Sequence, residues 1–535
     1  MLCILQKTQM PRQKPLPNIV FIVLDTHRYD RLGCYGYDKE TSPNIDAFAS
    51  RATVFEKAVS PAQWTIPAHA SMFSGEYPTT HMTVQSSDAL PPQLRTLAEF
   101  LGQRGYHTTG FCNNPLVGVL NNGLKRGFEK FYVYGGAIPT VPNRETRGIR
   151  ALFKSIWEQY TQMLRKISYP IQNLVAQSDR VLQFTLHPRI VPLWTRYAHF
   201  KGHTRNSLRD ATHFVRQNLL EAGEQPHFLF INLMETHLPY TPEDRFVKTF
   251  APIVKEDPAA RDFLNFYNTQ AMRWLLPLHE PFPELEYQTL SSMYDAEVAY
   301  QDHLLAELLE TLEQPAIRDN TLVIIVADHG EMLGEHLIMG HGLRSYEELI
   351  HVPLMIRSPG QESGERIPTP VSTTQLFHTV MAAAGFETLE TGLSPEIDLA
   401  SLSLTAVPRS GRPPAAHVIS EAFPPQNVIS IMRKHEPELL RTMHIEATSR
   451  AVYNGKYKLI QIEGVGEEMF DLANDPLEHQ NLAAGAAPQR EKLLGELEAF
   501  LERALARRPD NWHSGKNNIT DEKILQQLRG LGYIE

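Results

Sequence analysis

Cysteine is scarce in this chain, with Cys3, Cys34 and Cys112 the only three among 535 residues. Three thiols do not make the disulfide framework of a secreted scaffold, and the composition does not suit an oxidising compartment. Long apolar runs are also missing. No stretch approaches the roughly 18 residues that mark a spanning helix, so none is expected. The opening "MLCILQKTQMPRQKPLPN" has neither the apolar core nor the small-residue cleavage site of a secretion signal, and a cytoplasmic location is the expectation. An excess of positive charge is absent as well. Fifty-one Lys and Arg face 61 Asp and Glu, a net charge of −10, which argues against nucleic acid as a partner.

What the chain does have is a series of short apolar runs. "NIVFIVL" (residues 18–24) is continuous and rich in branched side chains, and it reads as a buried strand. The runs at 108–112, 227–234, 321–327 and 352–357 repeat the type. Helical patterns separate them. In residues 291–313, Tyr294, Val298, Leu305, Leu308, Leu309 and Leu312 recur at helical spacing. Strands alternating with helices predict an α/β fold around a largely parallel sheet, with ligands beyond the carboxyl ends of the strands. Residues 140–200 break the rhythm. Basic residues such as Arg144, Arg147, Lys154 and Arg165 meet few acids there, and Trp157 and Trp194 lie among them. This predicts a mostly helical basic insertion: a solvated cover, a substrate lid or a surface for anionic lipid. Beyond about residue 385 the composition turns loop-rich. "SRAVYNGKYKLIQIEG" then reads as a hairpin turning at Asn454-Gly455, and "EKLLGELEAFLERALARR" as an amphipathic helix.

The polar motifs follow the apolar runs. Asp25 ends the first, and Asp328-His329-Gly330 follow another. Carboxylates and an imidazole at separate strand ends are a usual way to assemble a metal site. In "WTIPAH", Pro67 suits a first helical turn and puts Thr65 at the helix entrance, as a cap or as a hydroxyl aimed at an anion. A divalent cation beside Thr65 would lower the hydroxyl pKa and make it a usable nucleophile. His69, His237 and His341 are candidate proton donors or anion binders.

These motifs carry a resemblance. "PNIVFIVLDTHRYDRLGCYGY", "AQWTIPAHASMFSGEYP", "VADHGEMLGEH", "YEELIHVPLMIRSPG", "YNGKYKLI" and "FDLANDPLEHQNL" match, in order, typical blocks of the sulfatase family within the alkaline phosphatase superfamily. The resemblance implies an α/β, alkaline-phosphatase-like fold: a large, mostly parallel central sheet flanked by helices, with a smaller C-terminal α+β subdomain. The expected division is an N-terminal extension (1–16), a catalytic domain (17–400) and the C-terminal subdomain (401–535). It also implies that Asp25, Asp328 and His329 hold a metal with Thr65. Asn114 falls near the loop that binds substrate oxygens in relatives, His237 falls in the segment supplying a histidine near the leaving group, and His341 falls where many sulfatases place a lysine.

The chain departs from sulfatases at the nucleophile. The family shows Cys or Ser before x-Pro-x-Arg, and that residue becomes formylglycine. Here the segment is Thr65-Ile66-Pro67-Ala68-His69, so no formylglycine is expected, and Thr26 replaces a second metal-loop aspartate. A threonine ester has no geminal hydroxyl with which to expel sulfate, whereas direct attack at phosphorus is a familiar route. Members of the wider superfamily pair such a threonine with an asparagine, as Thr65 and Asn114 are paired here. The expected activity is therefore hydrolysis of a phosphodiester or phosphonate ester through a Thr65 intermediate. Thr65, His237 and His341 would act catalytically, and Asn114, His69 and His341 would bind the anion. Sulfate-ester hydrolysis, phospho-transfer to an alcohol and a non-catalytic binding role are the alternatives. The ligand set favours Mn²⁺ or Zn²⁺, with Ca²⁺ or Mg²⁺ still open, and Glu235, His237 and His341 form an optional second metal group. The substrate would be a small-molecule or lipid-headgroup anionic ester.

Overall fold

The apolar run at 18–24 is strand β1 (Asn18–Leu24), buried on both faces. The computed structural model describes residues 15–118, 120–135, 142, 201–220, 225–270, 276–389, 397–406, 418–485, 487–508 and 515–516. The expected basic insertion at 140–200 lies almost wholly outside the described residues. Seven further strands join β1: β2 (Thr53–Phe55), β3 (His107–Cys112), β4 (Lys130–Val133), β5 (His227–Leu233), β6 (Thr321–Val326), β7 (Leu354–Arg357) and β8 (Glu365–Ile367). Their spatial order is β8-β2-β7-β6-β1-β5-β3-β4. Only β7 runs against the rest of this sheet. It needs no crossover, because residues 327–353 return from the end of β6 on the same side of the sheet.

Alternation along β1 explains why its whole length is apolar. Val20, Ile22 and Leu24 pack with helix α2 (Thr204–Asn218) and the long helix α3 (Glu284–Leu312). Ile19, Phe21 and Val23 face the opposite layer, where they meet Met72 and Phe73 of helix α1 (Thr65–Ser74) and Phe377 of α4 (Gln375–Ala383). The expected strand at 352–357 is split. Pro353 has no N–H to give a ladder, so His351–Val352 pairs with Ala58–Val59 while β7 enters the central sheet.

The C-terminal part is a four-stranded antiparallel sheet: β9 (Val418–Ala422), β10 (Ser449–Asn454), β11 (Tyr457–Ile462) and β12 (Gly466–Asp471). Asn454 pairs with Tyr457, so the turn itself is Gly455-Lys456, with Gly455 at φ 62°. One face, with Val452, Leu459 and Met469, is covered by helix α5 (Ala487–Ala506). The other, with Tyr453 and Ile460, packs on Met332, Ile338 and Leu349 of the segment that follows β6. The second sheet thus braces the loop that carries Asp328, His329 and His341. Among the described residues, no helix is long and apolar enough to cross a membrane.

Candidate active site and metal centre

Four neighbouring strands, β6, β1, β5 and β3, end at one place. Asp25 follows β1, Asp328 follows β6, Asn232 lies near the end of β5, and Asn114 follows β3. Thr26 takes φ 58°, a left-handed turn that costs a β-branched residue about 1–3 kcal/mol and is usually found where function needs it. Its N–H donates to Asp328 Oδ1 at 3.3 Å, and its carbonyl accepts from the Tyr294 hydroxyl at 2.6 Å. Its side-chain hydroxyl bonds Asp25 O. Thr26 therefore shapes the loop and leaves ligation to its neighbours.

Asp25, Asp328 and His329 are fully buried, and each offers a ligand atom within 4.8 Å of the others. Asn114 Nδ2 donates to Asp25 Oδ2 at 2.5 Å, and Asn232 Nδ2 approaches the same oxygen at 3.5 Å. Asp25 Oδ1 has no hydrogen-bond partner among the described residues, nor has Asp328 Oδ2. Burial, then the neighbouring charge of Asp328, pushes the Asp25 carboxyl up to about 8, and burial pushes Asp328 up to about 8. Two buried carboxylates with an orphaned oxygen each need a counter-charge, and a divalent cation meets that need. His329 fits the same role: Nδ1 donates to Gly330 O at 2.9 Å, so Nε2 keeps its lone pair. Burial, reinforced by His341, holds this imidazole down to about 4 and so neutral.

Thr65 is the first residue of α1 rather than its cap; Trp64 holds the cap position. The first backbone bond of the helix runs from Ala68 N to Trp64 O, and Pro67 has no N–H, so the amides of Thr65 and Ile66 remain at the tip. Thr65 Oγ1 lies 3.2 Å from His329 Nε2. His69, one turn along, gives Nδ1–H to Thr65 O at 2.9 Å and faces the Asn232 amide through Nε2 at 3.4 Å. Both its nitrogens face neighbours and the ring is fully buried, so His69 braces the helix tip. Asn114 is placed in the same way, beside the carboxylate. Its carbonyl accepts from Leu116 N and its amide is turned onto Asp25, which makes it a partner of the carboxylate before it is a partner of substrate.

His237 and His341 complete the cluster. The His341 ring lies 4.6 Å from His329 and 5.0 Å from His237, centroid to centroid. His341 keeps 11 % of its side chain exposed while Thr65, Asp25 and His329 have none, so the solvent side of the site is the His341 side. Glu331 sits beneath it, with Oε1 and Oε2 3.2 and 3.3 Å from His341 Nδ1. Burial pushes Glu331 up to about 7 and holds His341 down to about 4. The optional second metal group is not assembled: Glu235 belongs to neither metal-capable group among the described residues, and burial pushes its carboxyl up against the opposing pull of Lys201 and Thr204. The other such group is His336, Glu348 and Glu478. There the buried Lys458 ammonium already lies 2.8 Å from Glu478 Oε1 and 3.0 Å from Glu347 Oε1, and serves as the resident cation.

Asn232 and Glu331 escaped the reading of the sequence. Asn232 had a signal, as the one amide inside the apolar run of β5. Glu331 directly follows Asp-His-Gly and carried none beyond that adjacency.

The Sulfatase family model matches residues 17–386, and the chain belongs to that family. Its members are metal-dependent ester hydrolases. The uncharacterized sulfatase YidJ of Escherichia coli is 25 % identical over 479 residues, covering 87 % of this chain and 83 % of its own. The choline-sulfatase of Rhizobium meliloti is 24 % identical over 478 residues, covering 87 % and 82 %. Among solved structures, the phosphonate monoester hydrolase of Agrobacterium radiobacter superposes with a TM-score of 0.62 at 19 % identity, over 91 % of this chain and 96 % of that one. That likeness establishes the fold.

Proposed function

We propose that the protein is a metal-dependent phosphoesterase that cleaves a phosphodiester or phosphonate ester through a covalent Thr65 intermediate. The observation that carries this reading is the place of Thr65. Its hydroxyl stands at a helix tip, 3.2 Å from His329 Nε2, beside two buried carboxylates that each keep an unbonded oxygen. Asp25, Asp328 and His329 would hold the cation, with Mn²⁺ or Zn²⁺ suited to the mixed oxygen and nitrogen donors. Bound there, it supplies the charge that turns a threonine hydroxyl into a nucleophile. Thr65 Oγ then gives its proton to the imidazole cluster and forms a bond to phosphorus while the bond to the leaving oxygen breaks. The electron pair goes to that oxygen, which takes a proton from the imidazole cluster. Amides at the tip of α1 face the charge on the non-bridging oxygens. In the second step water attacks the threonine ester and gives a proton to the imidazole cluster, and Oγ departs taking a proton back from it.

Charge supports a monoanionic substrate. The two carboxylates cancel a divalent cation, and His69 and His341 stand as neutral imidazoles where sulfatases carry Arg and Lys. Sulfate-ester hydrolysis, also monoanionic, is the second reading, favoured by the sulfatases among the relatives. The purified protein should hydrolyse a bis-aryl phosphate or an aryl phosphonate with added Mn²⁺, and Thr65→Ala should abolish this. Mass spectrometry of a quenched reaction should find the phosphoryl group on Thr65. A preference for aryl sulfate would overturn the proposal, and faster turnover with added alcohol would mark a transferase.

A further inference from the structure

His336, Glu348 and Glu478 each offer a ligand atom within 4.8 Å of the others. The carboxyl groups are buried, with 4 % of the Glu348 side chain exposed and none of Glu478, while His336 keeps 13 %. Three atoms of the group lack a hydrogen-bond partner among the described residues: His336 Nε2, Glu348 Oε2 and Glu478 Oε1. The first two lie 3.8 Å apart, too far for a hydrogen bond. A carboxylate oxygen shut away from water with no donor on it is costly, and Glu348 Oε2 is in that position.

Lys458 does not settle the charge. Its ammonium lies 3.0 Å from Glu347 Oε1 and 2.8 Å from Glu478 Oε1, and among the described residues no ion pair joins it to Glu348. Arg28, whose field also reaches Glu348, is paired with Asp30 and Glu335. Glu347 is the best served of the three acids. It has the ammonium, the Tyr453 hydroxyl on Oε1, and His351 Nδ1 3.1 Å from Oε2. With the one ammonium counted to Glu347, Glu348 and Glu478 remain as two buried carboxyl groups. Glu478 Oε2 accepts from Glu347 N at 2.7 Å. Its Oε1 has two lone pairs, so it can face Lys458 and still ligate.

The imidazole is held in place for the same role. His336 and Leu337 take φ 53° and 61°, two successive left-handed residues that are not glycine. The His336 ring stacks on Tyr346 at 3.8 Å and 7°, which fixes its plane.

We propose that His336, Glu348 and Glu478 bind a divalent transition-metal ion that fastens the loop bearing His341 to the segment following β12. One nitrogen and two carboxylate oxygens suit Zn²⁺, and its two charges match the two acids. Structural zinc takes four ligands, and the exposed His479 adjoins Glu478 with its ring 6.2 Å from that of His336. It is the residue at hand for the fourth place. His336 and Glu348 flank His341 in sequence, so one ion bound to both closes that loop. The site is separate from the centre at Asp25 and does not depend on which ester the enzyme cleaves.

The test is the zinc content of the full chain, loaded with Zn²⁺, desalted and measured by mass spectrometry of the metal. The wild type should hold about two ions per chain, one at each group. His336→Asn and Glu348→Gln should each lose one of them. Asparagine tolerates the left-handed backbone at 336, and glutamine keeps the shape of Glu348. Asp25→Asn should lose the other ion and keep this one. Added Zn²⁺ should raise the thermal midpoint of the wild type more than that of either variant. Equal zinc content in the wild type and in both variants would overturn the proposal. A single ion that is lost in His336→Asn would uphold it and count against the centre at Asp25 instead. Should the variants not fold, an anomalous difference map of zinc-loaded wild-type crystals decides. A peak about 2.0–2.2 Å from His336 Nε2, Glu348 Oε2 and Glu478 Oε1 is expected, and no peak there overturns the site.

Discussion

Replacing Tyr294 with phenylalanine should weaken the site without touching any of its ligands. Tyr294 is buried on α3, and its hydroxyl serves two backbone groups of the metal loop: it donates to Thr26 O at 2.6 Å and accepts from Arg28 N at 2.9 Å. Phe fits the same space, so no cavity forms. Two buried backbone groups lose their partner instead, each costing about 1–3 kcal/mol, and partial relaxation brings the expected destabilisation to about 2–4 kcal/mol. The loop has reason to relax, because Thr26 is held at φ 58°. If it does, Thr26 N leaves Asp328 Oδ1 and Asp25 shifts with it. Such outer contacts typically change metal affinity by about 10–100-fold. Urea unfolding gives the stability, and hydrolysis titrated with Mn²⁺ gives the half-saturating metal concentration. A Tyr294→Phe protein that is less stable but saturates with Mn²⁺ like the wild type would refute the link between this hydroxyl and the ligand geometry. Unchanged stability would refute the accounting itself.

Three further outcomes are expected. Lys458→Met should destabilise the fold by about 3–5 kcal/mol, because it leaves the buried Glu347 and Glu478 without their ammonium; denaturant unfolding measures it. Gly330→Ala should cost at least about 1–3 kcal/mol and most of the activity, since its Cβ would meet a backbone carbonyl that cannot turn aside; soluble yield and turnover report on it. The metal-free protein should lose stability as pH rises above about 7, where the buried imidazoles, held down to about 3 or 4, no longer oppose the trend. Asp25 and Asp328 stand near 8 folded against an ordinary 3.8, so the folded state holds more protons between those values. That contribution is fully present below about 4 and gone once pH passes 8, while added Mn²⁺ should reverse the trend because it binds the deprotonated carboxylates. Thermal midpoints from pH 5 to 9, with chelator and with Mn²⁺, check both signs.

The central sheet was legible because its strands are buried on both faces: an uninterrupted apolar run such as Asn18–Leu24 has few other readings. The group of Asp25, Asp328 and His329, which could hold a metal ion, was legible because its members follow those runs. The direction of β7 was not, since periodicity describes faces and says nothing of polarity along the sheet. Nor was the work of Asn114 and His69. Both were expected to face substrate, and both are turned inward onto Asp25 and Thr65 by contacts between residues far apart in sequence. Glu331 was hidden for a related reason. A carboxylate matters there only because residue 341 folds back over it, and spacing along the chain does not reveal that return.

The buried ammonium of Lys458 bears on what can be cut from this molecule. The family match stops at residue 386, yet Glu347 inside that span is neutralised by a lysine on β11, and Glu478, also beyond the match, shares the same charge. Glu421 of β9 likewise holds the backbone of Thr79, just past helix α1. A protein ended at the family boundary would strand the buried Glu347 carboxylate without its ammonium and expose the apolar underside of the loop that carries His341. The stretch that defines the lineage is therefore shorter than the stretch that folds. A minimal active version of this enzyme has to retain its C-terminal sheet.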